Sequence, residues 1–316
     1  NVLVGGLTGD ALTDADVNIA IGTSALSSDT LGSKSIAIGK GALFSQNFTT
    51  ATDSHNIAIG VNAGLSVTTG TLNTLIGSLT GDALTSGNSN TAIGYSSLTT
   101  DTLGDRNVAL GAFTLTSQNF TTSVDSYNIG VGFGAGNAIT TGVQNTLIGS
   151  NAGLSLTDAD ENVAVGYEAL DADTLGSRST ALGYATLSSQ NFATATNVYN
   201  VAVGNRSGVA LTTGVRNTIL GGLGLQSDTL GSNSVAVGYA ALNNQNFTTA
   251  TDVYNTAVGS LAGLSVTTGK QNTLLGGTAG DAITTGTNNV AVGYLALTTE
   301  TAGDNSVAVG RSALAN

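Results

Sequence analysis

Asn18-Ile-Ala-Ile-Gly22 is followed 17 residues later by Ser35-Ile-Ala-Ile-Gly39, and variants of this five-residue word recur along the whole chain. The word ends on Gly5, Gly22, Gly39, Gly60, Gly77, Gly94, Gly111, Gly132, Gly149, Gly166, Gly183, Gly204, Gly221, Gly238, Gly259, Gly276, Gly293 and Gly310, at intervals of 17 or 21 residues. A unit this short cannot bury an apolar face alone and must stack on its neighbours. The residue before the glycine is aliphatic in all 18 units, and the residue three before it is Val or Ile in 11 units and Thr in 7. The residue between them is Ala in 12 units and Leu in 4. Short runs rich in β-branched residues read as strands. The sequence therefore predicts an all-β chain, a parallel β-roll or β-solenoid of about 18 coils with two strands and two turns in each. At a spacing of about 4.8 Å per coil the rod is roughly 85 Å long.

Composition narrows the partners. There is no Cys, Pro, Met or Trp among the 316 residues, and only 9% are charged. A chain without Pro keeps every backbone N–H available for a ladder. A net charge of −12 argues against nucleic acid, which is bound through Lys and Arg clusters. No apolar run is long enough for a membrane span of roughly 20 residues, so no membrane insertion is expected within this segment. No linker or change of composition interrupts the repeat, so residues 1–316 read as a single continuous repeat domain. Solenoids are closed by caps, and neither end carries one, so the expectation is an excerpt of a longer polypeptide.

Side chains alternate faces along a strand. The two flanking aliphatics then share one face and the Ala/Leu position takes the other. Neither carries a charge in any unit, and a strand apolar on both faces is buried on both. With the flanking pair assigned to the coil's own core, the other face is an uninterrupted external stripe, more than a soluble monomer ordinarily shows. Its members are Ala20, Ala37, Ala58, Leu75, Ala92, Ala109, Leu147, Ala164, Ala181, Ala202, Ala236, Ala257, Leu274, Ala291 and Ala308, a candidate interface between copies of the chain. The alternative is that this column is interior and has no partner chain.

Four residues before the glycine stands Asn in 14 units, or Ser (Ser35, Ser179, Ser234, Ser306). Stacked amides at this position predict a hydrogen-bonded ladder. After the glycine the units divide. In one type the fourth residue is Gly with an apolar residue at the seventh, as in Gly64 with Val67; in the other the fourth is Leu and a second Leu or Phe stands at the ninth, as in Leu26 with Leu31. The 21-residue units begin at Gly39, Gly111, Gly183 and Gly238 and share the insert Gln46-Asn47-Phe48, Gln118-Asn119-Phe120, Gln190-Asn191-Phe192 and Gln245-Asn246-Phe247. The Phe is expected in the core. Insertions in a solenoid gather on one face, often the binding face. Asn47, His55, Asn119, Tyr127, Asn191, Tyr199, Asn246 and Tyr254 are therefore candidate surface contacts for a host-cell receptor or a glycan, against the plainer reading of a structural bulge.

The words Asn18-Ile-Ala-Ile-Gly22, Ser35-Ile-Ala-Ile-Gly39, Ser234-Val-Ala-Val-Gly238 and Ser306-Val-Ala-Val-Gly310 resemble the head repeats of YadA-like trimeric autotransporter adhesins. Asn90-Thr-Ala-Ile-Gly-Tyr95 with Leu98 is similar to repeats of bacteriophage tail-fibre shafts. The resemblance covers the whole chain and implies a left-handed parallel β-roll assembled as a parallel homotrimer, extracellular, on a cell surface or a virion appendage.

No catalytic, metal or cofactor site is expected. His55 is the only His, with no Cys or second His to work beside it. Asp14/Asp16 and Asp158/Asp160 are acidic pairs, short of the six to eight oxygens calcium takes, and read as solvated turns. Gly130-Val-Gly-Phe-Gly134 lacks the strand–loop–helix setting of a phosphate loop. Thr68, Thr140, Thr212, Thr267 and Thr284, each eight residues after a motif glycine, raise ice binding as a third possibility. The first expectation is a non-enzymatic structural or adhesive fibre segment; the second is a tail-fibre shaft or a receptor-binding module that uses the inserts.

Overall fold

The computed structural model describes residues 1–315. Among them there is no helix; the chain forms about 18 stacked parallel coils, a β-solenoid. It divides into two compact units, Asn1–Asp160 and Glu161–Asn316. In the first, the repeated word forms the three-residue strands Val2–Val4, Ile19–Ile21, Ile36–Ile38, Ile57–Ile59, Thr74–Ile76, Thr91–Ile93, Val108–Leu110, Ile129–Val131 and Thr146–Ile148. Each pairs in parallel with the next, equivalent residue opposite equivalent residue, as in Ile19↔Ile36, Ala20↔Ala37 and Ile21↔Ile38. The second unit repeats this from Val163–Val165 to Val307–Val309.

The expected second strand is mostly absent. Among the described residues, two-residue parallel pairs occur only at Gly32–Ser33 with Thr52–Asp53, Gly104–Asp105 with Val124–Asp125, Gly176–Ser177 with Thr196–Asn197, and Gly231–Ser232 with Thr251–Asp252. Elsewhere the return path is a chain of turns. These turns still bond coil to coil: the Ser24 N–H donates to the Gly6 carbonyl and the Leu26 N–H to the Ala42 carbonyl. The backbone positions two and four residues after each motif glycine have positive φ, for example Ser24 (59°), Leu26 (52°), Asn62 (58°) and Gly64 (59°). Alternation of left- and right-handed residues curls the chain tightly without a helix or a second strand.

The motif glycine meets two demands. Its φ lies between 121° and 143° in every unit. A β-carbon on Gly22 would stand 2.7 Å from the backbone of Gly39 in the next coil. No other residue satisfies both the dihedral and the close approach.

The coil interior is narrow, and this sets the strand's orientation. The middle residue of each strand points inward, and its flanking pair points outward. The structure thus reverses the expected faces. Ala20, Ala37, Ala58, Leu75, Ala92, Ala109, Leu147, Ala164, Ala181, Ala202, Ala236, Ala257, Leu274, Ala291 and Ala308 are all core residues of their own coil, none more than 1% exposed. Their side chains are out of reach of a second chain. The reason is volume: one inward position per strand meets the opposite turn directly. At Gly130, where the middle residue is glycine, a β-carbon would lie 2.5 Å from Cγ2 of Thr114. Two inward β-branched side chains do not fit such a gap, whereas one alanine does.

The same constraint explains the two coil types. Leu26, Leu43, Leu98 and Leu115 at the fourth position are fully buried. In the other type Gly64, Gly81, Gly136 and Gly153 stand there, and Val67, Leu84, Ile139 and Leu156 at the seventh position fill the interior instead. The glycine coils flank the strands with a central Leu: β-carbons on Gly64 and Gly81 would each lie 2.8 Å from a methyl of Leu75, and those on Gly136 and Gly153 would lie 2.7 and 2.8 Å from Leu147. Large and small residues exchange places so that the core volume is held constant.

Candidate functional site

Two surfaces merit functional attention: the outward face of the motif strands and the rim of the four inserts. The outward face carries two parallel ranks. In the first unit one rank runs Val2, Ile19, Ile36, Ile57, Thr74, Thr91, Val108, Ile129, Thr146, and the other runs Val4, Ile21, Ile38, Ile59, Ile76, Ile93, Leu110, Val131, Ile148. The second unit has Val, Thr and Leu in the same ranks, from Val163 and Val165 to Val307 and Val309. Every member is exposed or half-buried, and none is charged. In-register pairing keeps the ranks straight. The residue after the motif glycine borders them and is often aromatic: Tyr95, Phe133, Tyr167, Tyr184, Tyr239 and Tyr294 are about half exposed, at 47–57%. Phe113 bridges Tyr95 and Phe133 edge to face, with centroids 5.5 and 5.7 Å away, and Tyr167 stacks on Tyr184 at 5.8 Å. The uncharged stripe looked for on the alanine column thus lies on the opposite side of the same strands.

The Asn column forms a ladder of a particular kind. Asn73 donates from Nδ2 to the Gly87 carbonyl (2.8 Å) across its own coil, and its Oδ1 accepts the Asn90 N–H (2.9 Å) of the next. Asn18, Asn56, Asn90 and Asn272 repeat these bonds. The partners are mainly backbone groups, with amide-to-amide contacts secondary. Each buried side chain closes a coil and fixes its neighbour, so polar burial is fully compensated.

The inserts divide into a buried and an exposed part. Phe48, Phe120, Phe192 and Phe247 are 5–6% exposed, as expected of core residues. The Gln that begins each insert is fully buried as well. Gln46 Nε2 donates to Asp29 Oδ2 (2.6 Å) and Ser35 Oγ (2.9 Å), and its Oε1 accepts from Asn56 Nδ2 (2.9 Å). Asp29 Oδ1 accepts the N–H groups of Gly32 (3.0 Å) and Phe48 (3.2 Å). Asp101–Gln118, Asp173–Gln190 and Asp228–Gln245 repeat the bond at 2.5–2.6 Å. Burial pushes the Asp101 carboxyl above its usual range, opposed by its bonds from Gln118, Gly104 and Phe120. These four carboxylates sit in a structural lock with every oxygen engaged.

Asn47, Asn119, Asn191 and Asn246, together with His55, Tyr127, Tyr199 and Tyr254, all reach the surface. Each Asn accepts a hydroxyl from a Thr of the preceding coil, Thr30, Thr102, Thr174 or Thr229. The rings stand among charged groups. Lys34 pairs with Asp53 beside His55 (2.5 Å). Arg106 pairs with Asp125 and lies over the Tyr127 ring, 5.6 Å from its centroid. Arg178 donates to Glu161 (3.0 Å) and the Tyr199 hydroxyl (2.9 Å) and lies 5.8 Å above that ring. Its bond to Glu161 holds the guanidinium further into its protonated range. Asn233 donates to Asp252 (2.6 Å) near Tyr254.

The remaining candidates are structural. Thr141 donates to Asp158 (2.7 Å) and the Val143 N–H to Asp160 (2.8 Å). Asp14 and Asp16 are exposed. Among the described residues no group of three or more His, Asp or Glu side chains converges on a metal position, and no pocket is present. Among the described residues no helix is long and apolar enough to cross a membrane. Thr68, Thr140, Thr212, Thr267 and Thr284 donate their hydroxyls to the backbone carbonyl of the next coil (2.8–3.2 Å). Thr also occupies this position in Leu-type coils, such as Thr30 and Thr102, so it is not confined to one coil type. Compared with protein-family models, curated proteins and solved structures, the chain finds no match.

Proposed function

We propose that this chain is a non-enzymatic segment of an extracellular fibre, borne on a cell surface or a virion, in which three parallel copies associate through the outward strand face. The observation that carries the reading is the pair of uncharged ranks, Ile36/Ile38, Ile57/Ile59, Val163/Val165 and their equivalents, left at the surface of a single chain. Soluble monomers rarely display apolar patches beyond about a few hundred Å², and larger ones mark interfaces. Coil-to-coil bonding at nearly every step would give such a fibre stiffness and leave proteases little loose backbone. The left-handed winding and the number three come from the resemblance to adhesin heads and tail-fibre shafts. The test is the mass in solution by light scattering. Three chains per particle are expected, and a monomer at micromolar concentration contradicts the proposal.

A further inference from the structure

We propose that His55, Tyr127, Tyr199 and Tyr254, each with its neighbouring acid and its base or amide, form repeated shallow binding patches for neutral glycans. The inference rests on the fibre reading only in requiring these patches to face solvent. The ring always occupies the position just before the buried Asn, where φ is positive in every coil: 51° at His55, 49° at Tyr127, 56° at Tyr199 and 57° at Tyr254. In coils without an insert the equivalent residue is never a ring; Leu72, Ser89, Gln144 and Asn288 are examples. A bulky residue in the left-handed region is unfavourable, and Gly or Asn would relieve it. The three Tyr are 46–53% exposed, so the core gives little in return. Cation–π contact does not account for them either. A guanidinium lies over Tyr127 and Tyr199, whereas the nearby polar pair at Tyr254 is Asn233 with Asp252. The ring persists where the cation does not. The dihedral is common to every coil, so the distinguishing feature is the ring itself: half-exposed, confined to the coils that carry an insert, and kept where the cation is not, it points to a role at the surface.

The chemistry selects the ligand class. A half-exposed aromatic ring offers its face to the C–H face of a pyranose, and its hydroxyl and the flanking carboxylate or amide offer bonds to sugar hydroxyls. Each patch carries a carboxylate: Asp53, Asp125, Glu161 or Asp252. The first three are paired with Lys34, Arg106 and Arg178, so each patch cation is already engaged, and the chain charge of −12 disfavours anionic sugars further. With no pocket, single patches bind weakly. His55 and Tyr127 are four coils apart in the first unit and Tyr199 and Tyr254 three coils apart in the second, roughly 19 and 14 Å at the interstrand spacing. A glycan chain that spans two patches gains effective concentration at the second. The charged surroundings set these rings apart from the uncharged ranks and favour a wet ligand over a dry seam between copies.

The test uses saturation-transfer NMR on the whole chain with hexaoses of glucose, mannose and galactose, and with a sialylated trisaccharide. Saturation of the protein aromatic protons should reach at least one neutral hexaose and leave the sialylated sugar weaker. Replacing all four rings (His55→Asn, Tyr127→Asn, Tyr199→Asn, Tyr254→Asn) should leave the melting temperature unchanged or raised and reduce that transfer at least tenfold. The single variant Tyr127→Asn should reduce it partially, which covers the case in which the fourfold variant misfolds. No transfer to any neutral hexaose, or transfer undiminished without the rings, overturns the proposal. So does a fall in particle mass on ring removal, since the rings would then belong to the seam. A monomeric wild type that still binds sugar would sink the fibre reading and spare this one.

Discussion

At the scale of single residues, the backbone makes demands that the side chains only partly disclose. Leu72 has φ of 61° and is 56% exposed, so it bears left-handed strain without compensating burial. Leu72→Asn should raise stability by about 1 kcal/mol, read as an upward shift of the urea midpoint, because Asn tolerates this region and Leu does not. Gly77→Ala should act in the opposite direction. Its φ is 133°, and the new β-carbon would sit 2.4 Å from the carbonyl oxygen of Gly94. A loss of about 3 kcal/mol or more is expected, since the residue must clash or break the coil-to-coil bond. The motif glycines were legible as glycines. The left-handed Leu26, Tyr127 and Leu170 were not, because no Gly or Asn marks them; stacking imposes the dihedral on whatever residue stands there.

At the scale of the element, the strand was legible and its orientation was not. Binary patterning separates faces by polarity, and here both faces are apolar. Size was the signal that decides: the middle position is Ala or Gly except where neighbouring glycines make room for Leu or for Ile219, and the flanking positions are β-branched or Leu. The insert lock was also written in the sequence, since Asp29, Asp101, Asp173 and Asp228 each stand 17 residues before the Gln they bind. Hydropathy does not disclose it, because a buried carboxylate opposite an amide leaves no trace there. Asp101→Ala should strand Gln118 Nε2 and the N–H groups of Gly104 and Phe120, costing about 3 kcal/mol in denaturant melts. The pH dependence has a definite sign. Burial raises the carboxyls of Asp101, Asp171 and Asp281 above the ordinary aspartate range, so the folded chain holds these protons more tightly than the unfolded one. Their stabilising contribution is fullest below the unfolded value and is lost as pH rises through the folded one. The melting temperature should therefore rise as pH is lowered from neutral toward the ordinary aspartate value, and Asp101→Asn should flatten that trend. A melting temperature that falls over the same interval contradicts the assignment.

At the scale of the whole molecule, the question is what covers the outward ranks. An aspartate at Ala164 would lodge an unpaired carboxylate inside a coil with no space for it, so Ala164→Asp should unfold the chain locally whatever the assembly state. Val165 is the informative neighbour, half-buried on the outward face of the same strand. Val165→Asp should leave the far-ultraviolet circular dichroism intact while lowering the particle mass, because the charge meets water in the single chain and a dry partner in the assembly. Ionic strength provides an independent handle. A seam built from charged pairs weakens as salt screens it. The ranks proposed for this seam hold no charge, while the chain as a whole carries −12, so salt should relieve the repulsion between copies and leave the contact itself untouched. The concentration at which the assembly dissociates should accordingly fall between 0.05 and about 0.5 M sodium chloride, where the Debye length shrinks severalfold. Assembly that loosens over the same range would place the contact on the charged rim of the inserts, among Arg106, Asp125 and Arg178, and away from the strand face.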